Sequence, residues 1–147
     1  MSSALRLRPS AEAREALAAF DDGIYLHQVI VRRPDGNRTV YLDLDDALAC
    51  EPPTKEDDLS DCEWRVHFHV PLHSPPTTVF GNTAEHLLGI LDLLQVNPSL
   101  CSHLEMETYT WEVLPHEMRL PLTESIIREM EWVANIIRGT HLHPANA

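Results

Sequence analysis

Long apolar runs, basic residues and cysteine are all scarce in this sequence, and each scarcity argues against a class of protein. The longest apolar run, residues 87–96, is interrupted by Gly89, Asp92 and Gln95. It therefore falls short of the ~18 to 20 apolar residues that a membrane-spanning helix requires. The first ten residues lack the apolar core and the cleavage site of a signal peptide. We therefore expect a cytoplasmic protein with no membrane insertion.

Basic residues number 11 against 23 acidic ones, which gives a net charge of −12. A surface with this excess of negative charge repels phosphate backbones, so nucleic acid is not an expected partner. The three cysteines, Cys50, Cys62 and Cys101, are odd in number and match no zinc-binding spacing. We expect them to be free thiols in a reducing compartment.

Patterns typical of strands and helices alternate along the chain. The predicted elements are a helix at 11–20, strands at 24–33 and 39–44, a short helix at 44–50, a strand at 63–70, a helix at 83–95, a strand at 103–110 and a helix at 123–138. Strands that alternate with helices of ~10 to 15 residues are typical of parallel βαβ units. The predicted fold class is α/β, with the strands at 63–70 and 103–110 as parallel neighbours.

Three of the predicted helices show an apolar face at helical spacing. The predicted buried positions are Ala13, Leu17 and Phe20 in the first helix, Leu87, Ile90, Leu91 and Leu94 in the helix at 83–95, and Ile126, Met130, Val133 and Ile137 in the last helix. Ser10, directly before the first of these helices, is a plausible N-cap.

Histidines and carboxylates follow one face of each of two predicted strands. Because side chains alternate across a strand, His67 and His69 share a face of the first strand, and Glu105 and Glu107 share a face of the second. Parallel neighbours would lie ~4.8 Å apart, and imidazole and carboxylate are common ligands of divalent metals. We therefore predict a site for Mn²⁺, Zn²⁺ or Mg²⁺ with His67, His69 and Glu107 as ligands and Glu105 as acid or base.

The same alternation is also what a half-solvated strand shows, so a structural explanation of the four residues stays open. His27 and Gln28 are weaker candidates. They could point into the same cavity, although a surface position is favoured. His73 belongs to a proline-rich loop and is either a lid residue or a solvent-exposed one.

Two stretches, WRVHFHVPL (64–72) and LEMETYTWEVLP (104–115), resemble the C-terminal region of the EboE family of metabolite traffic proteins. The stretches SSALRLRP, YLHQ and EMEWV match the same pattern, so the resemblance covers nearly all 147 residues. The resemblance implies the xylose-isomerase-like TIM-barrel superfamily. It also implies a role in moving a secondary-metabolite precursor, such as a terpenoid or an indole-derived compound, towards the periplasm.

In that superfamily a late-strand histidine and a glutamate of the last strand bind the metal. The resemblance carries these roles onto His69 and Glu107, with His67 and Glu105 as neighbours. A complete barrel needs eight strands and typically ~250 residues, and this chain can supply three or four of those strands. The expected fold is therefore a partial (β/α) TIM barrel, in which residues 1–147 form the C-terminal strands and helices.

Three functions are consistent with these patterns. The first is a component of a metabolite-traffic system that handles a small molecule. The second is a divalent-metal-dependent sugar isomerase or epimerase. The third is a binding module whose open barrel edge associates with a partner chain or with a second copy.

Overall fold

A five-stranded sheet and four α-helices make up the described part of the chain, which in this computed structural model comprises residues 1–21, 23–51, 61–107 and 120–139. The strands are β1 (Ser3–Leu7), β2 (Val29–Arg32), β3 (Arg38–Tyr41), β4 (Glu63–Val70) and β5 (Gly81–Asn82). The helices are α1 (Ala11–Ala18), α2 (Leu44–Cys50), α3 (Ala84–Val96) and α4 (Leu122–Ile137), with a 3₁₀ turn at Pro98–Leu100.

The strand order is β3-β2-β4-β1-β5, and every pair of neighbours in it is antiparallel. The prediction of a mixed α/β chain is confirmed. The prediction of a partial TIM barrel is wrong, because a barrel of that kind requires parallel strands. A short turn with Gly36 at φ +84° joins β2 to β3. Such a turn can connect only antiparallel strands, since a parallel pair needs a crossover of a dozen or more residues.

The predicted strand at 103–110 is also corrected. Residues 103–107 lie outside any strand, and residues 108–110 lie outside the described ranges. The neighbours of β4 are β1 and β2, so residues 103–107 do not pair with it. Instead the Met1 ammonium donates to the carbonyl of Glu105, and the Glu107 N–H donates to the carbonyl of Met1 at 3.2 Å.

One face of the sheet packs against α1 and α2 to form the larger core. Its buried members are Leu5, Leu7, Val29, Val31, Trp64, Val66, Phe68 and Val70 from the strands, with Ala13, Leu17, Phe20, Leu44 and Ala47 from the helical side. The predicted face of the first helix is therefore confirmed. Ser10 caps α1 as predicted, since its hydroxyl accepts from the Ala13 N–H at 3.1 Å. Arg14 ties the layers together by stacking 4.9 Å over the Trp64 ring and donating to the Leu48 carbonyl at 2.7 Å.

A second, smaller core lies between α3, α4 and the end of β4. Its buried members are Leu72, Leu87, Leu91, Val133 and Ile136. The predicted stripe of α4 is largely wrong, because Met130 and Ile137 are exposed and the buried residues are Ser125, Glu129, Val133 and Ile136.

Within the described ranges, no helix combines the length and the apolar character that a membrane span requires.

Replacing Leu17 by alanine is expected to lower the free energy of unfolding by about 2 to 5 kcal/mol, because this fully buried side chain joins α1 to the sheet. Urea unfolding followed by circular dichroism measures the change. The matched control is Leu42→Ala, at a leucine that is 74% exposed, where a change below ~0.5 kcal/mol is expected. Equal losses in the two variants would contradict the packing of α1 described above.

Candidate functional site: a histidine pair and two carboxylates

Two histidine rings lie side by side at the C-terminal half of β4. Their Nε2 atoms are 3.1 Å apart and share a hydrogen bond, in which one ring donates and the other accepts. The ring centroids are 5.0 Å apart with an interplanar angle of 30°. His69 is completely buried, whereas His67 is exposed. The pair therefore presents one immobile imidazole and one that reaches solvent. A strand can bring them together because residues two apart project on the same side.

Glu107 approaches the other nitrogen of His69. Its Oε2 lies 3.5 Å from His69 Nδ1 and 3.5 Å from the hydroxyl of Ser2, which donates to it. The groups thus form a row in the order Glu107, His69, His67. A carboxylate behind a histidine holds the proton on the near ring nitrogen and leaves the lone pair on the far nitrogen. In this row the far nitrogen is the one that faces His67.

Burial is the main influence on the charge of His69. Desolvation lowers the pKa of His69, the Glu107 carboxylate raises it in part, and the neighbouring His67 and the N-terminal ammonium lower it further. The ring is therefore neutral around pH 7. A neutral imidazole offers one N–H donor and one lone pair, which is the form that binds metal ions.

Glu105 is the predicted site residue that does not join this row. Its side chain is exposed, and its contact with the N-terminus is made by the backbone carbonyl. Within the described residues, no three His, Cys, Asp or Glu side chains are arranged to hold a metal ion. The structure thus brings together His67, His69 and Glu107, with Glu107 behind His69 rather than beside His67.

The weaker sequence candidates occupy other places. His27 is buried on the core side of β4, with its ring 4.2 Å from that of Phe68, so the favoured surface position is wrong. Gln28 is exposed, and its carbonyl accepts from the His67 N–H at 2.9 Å. His73 is half-buried, and both burial and the nearby Arg128 lower the pKa of its imidazole.

Glu129 is a buried carboxyl group that the sequence analysis missed. It is 1% exposed, and its Oε1 accepts from the Leu72 N–H at 2.7 Å. Its Oε2 has no hydrogen-bond partner among the residues that the structure describes. Burial raises the pKa of Glu129, while the Leu72 N–H and the N-terminal ammonium oppose that rise. Its position four residues before Val133, on the same helical face, was the signal that could have identified it.

No family model matches this chain, and no curated protein or solved structure matches it. The resemblance to the EboE family, and the function that it implies, stay predictions from the sequence.

Replacing Glu129 by glutamine is expected to remove one source of pH dependence from the stability. Its folded-state pKa lies above the ordinary value of 4.5, so the folded protein holds this proton more tightly than the unfolded chain does. The resulting stabilisation is present below the unfolded pKa and is lost as the pH rises through the folded pKa. Relative to the parent, Glu129→Gln should therefore gain stability as the pH rises above the ordinary pKa of 4.5.

Urea unfolding at a series of pH values measures this difference. The matched control is Glu131→Gln, because Glu131 is an exposed glutamate of the same helix. The difference between the parent and the control should stay flat over the same range. Parallel pH profiles for the two variants would show that burial does not perturb Glu129.

Proposed function

We propose that this chain binds a small-molecule metabolite through a divalent ion held at His67 and His69, in a metabolite-traffic role of the kind that the EboE resemblance implies. The observation that supports this proposal is the convergence of the two Nε2 atoms at 3.1 Å, with Glu107 behind the buried ring. A neutral, buried and oriented imidazole is the form of histidine that metal sites use.

The spacing of the pair is compatible with a shared ion. Two nitrogens that each lie ~2.0 to 2.1 Å from a tetrahedral ion are about 3.3 Å apart, close to the 3.1 Å observed. Glu107 suits the outer position, in which a carboxylate accepts from the non-ligating N–H of a histidine. The described residues therefore supply two ligands and one supporting group, and other ligands or the metabolite would fill the remaining positions.

A bound divalent ion would supply Lewis-acid polarisation of a carbonyl or hydroxyl oxygen. The chain's own residues would divide the other tasks. His69 gives rigidity, because its ring is enclosed on all sides. The Glu107 carboxylate, 3.5 Å from Nδ1 of His69, would favour a proton on that nitrogen, and His67 is exposed to solvent. An exposed His67 beside a buried His69 suits reversible binding of a small molecule.

The metal-dependent sugar isomerase or epimerase is the enzymatic form of this proposal. It requires an acid or base near the ion, the role predicted for Glu105. The exposed position of the Glu105 side chain, away from the histidine row, gives this alternative less support than binding. Glu107, at 3.5 Å from His69, is the carboxylate nearest to the pair.

A second candidate function, assembly with another copy, is favoured by the apolar surface of α3 and α4. Leu93 and Val96 on α3 are 62% and 87% exposed, and Met130 on α4 is 59% exposed. The ends of the two helices also border a largely apolar groove of about 500 Å³ that includes Leu104 and Ile137. Apolar surface of this extent commonly marks an interaction site.

Titration of Mn²⁺ and Zn²⁺ into the protein, followed by calorimetry, tests the metal site. The parent is expected to bind, His67→Ala to lose most of that binding, and Glu107→Gln to bind about 10 to 100 times more weakly. His67 is exposed and the Glu107 side chain is 55% exposed, so the fold should survive, and circular dichroism verifies this.

The control for the titration is His86→Ala, which removes an exposed histidine from α3 and should leave metal affinity unchanged. If His67→Ala and Glu107→Gln bind Mn²⁺ as tightly as the parent, the proposed metal site is wrong. The isomerase alternative then fails with it, since it needs the same ion.

Light scattering across a range of protein concentrations tests assembly. The parent is expected to form a dimer that dissociates on dilution, and Val96→Glu should shift it to monomer because a charge replaces an exposed apolar side chain. The control, Glu131→Gln, should keep the dimer. A parent that stays monomeric at all concentrations would count decisively against self-association.

A further inference from the structure

The sheet face that points away from the larger core is rich in arginine. Alternation along the strands places Arg6 and Arg65 between core residues. Arg32 directly follows the core residue Val31, Arg38 lies opposite Arg32 in β3, and Arg8 directly follows β1. These are five of the 11 basic residues in a chain whose net charge is −12. Positive charge is thus concentrated on one surface of an otherwise acidic protein.

The register sets like charges opposite one another. Arg6 is the partner of Arg65 across β1 and β4, and Arg32 is the partner of Arg38 across β2 and β3. Like charges directly opposite each other destabilise a sheet. Arg32 also lies opposite Glu63 in β4, whereas Arg6, between Arg65 and Gly81, has no carboxylate opposite it in either neighbouring strand. A pair of like charges such as Arg6 and Arg65 is expected where the charge itself is used.

Few carboxylates of the described residues offset this charge. Glu63 contacts Arg65 at 2.8 Å and Arg32 at 3.7 Å, so one carboxylate serves two arginines. Arg6 is paired with Glu85. The side chain of Arg8 is exposed and has no partner in the described ranges.

Three of these arginines, Arg6, Arg8 and Arg32, border a groove of about 910 Å³ at the end of the sheet where β1 and β2 finish and β4 begins. The loop at 76–81 also lines this groove. Among the described residues, the acidic ones on the groove are Glu63, already engaged with arginines, and Glu12 and Asp61, which are exposed. Its size is that of a small-molecule site, for which about 300 to 1,000 Å³ is usual.

We propose that this groove binds a phosphate-bearing small molecule, with the phosphate held between Arg8 and Arg32. The planar guanidinium group matches the geometry of phosphate oxygens and binds them through paired N–H groups. A long polyanion is disfavoured, because the acidic surface beyond the groove repels it. The proposal does not depend on the histidine pair, since Glu63 at the groove and His67 are about 13 Å apart along β4.

Calorimetric titration with inorganic pyrophosphate, at constant ionic strength and with EDTA present, tests the groove without involving any metal. The parent should bind one pyrophosphate, and Arg8→Ala and Arg32→Ala should each weaken binding about tenfold or more. Arg8→Lys should fall between the parent and Arg8→Ala, because lysine keeps the charge but loses the paired donors.

The control is Arg138→Ala, which removes an exposed arginine at the end of α4 and should leave pyrophosphate binding unchanged. Absence of binding by the parent would overturn the proposal, as would equal binding by Arg8→Ala, Arg32→Ala and Arg138→Ala. A single-stranded oligonucleotide that binds in fluorescence anisotropy more tightly than pyrophosphate would also overturn it, since the face would then serve a polyanion.

Discussion

The rest of the structure depends on the position of β4 between β1 and β2. Its Trp64, Val66 and Phe68 supply the centre of the larger core, and α1 and α2 cover that side. Its ladder bonds run to antiparallel neighbours on both edges. With β4 held in this way, the opposite side of the same strand carries Glu63, Arg65 and His67. One strand therefore supports the core, the arginine-rich face and the histidine pair.

A buried carboxyl group attaches the second core to this sheet. Glu129 of α4 accepts from the N–H of Leu72, two residues after β4 ends. With this hydrogen bond in place, α4 buries the face that carries Glu129 and Ser125, and Met130 is exposed. Burying a carboxyl group costs stability unless the group is protonated or paired. Burial raises the pKa of Glu129 for the same reason, and the Leu72 N–H opposes that rise.

The outer face of the sheet separates two kinds of chemistry. Near the start of β4 the groups are arginines with few counter-ions, which suits a ligand that carries negative charge. Near its end the groups are a neutral buried imidazole, an exposed imidazole and a supporting carboxylate, which suit a cation. If a metabolite with a phosphate used both places, one end would meet the arginines and the other would meet the histidines.

The sequence correctly predicted the elements whose characteristic pattern lies within their own residues. The strand at 63–70 and the helix at 44–50 were predicted with their observed bounds, because alternation and helix propensity are properties of short segments. The adjacency of His67 and His69 was likewise readable from their spacing of two. The predicted segment at 103–110 failed as a strand over 103–107, because alternation alone does not provide a ladder partner.

Only the tertiary structure decided strand direction, the partners of β4 and the burial of Glu129. A strand pattern is satisfied by parallel or antiparallel neighbours, because both complete the backbone hydrogen bonds. Which face of α4 is buried depends on the residues that pack against the helix. One of these contacts is the N–H of Leu72, which is far from Glu129 in the sequence. The sequence by itself determined which residues could share a face. The tertiary structure decided which faces meet, since that depends on contacts between segments that no local pattern records.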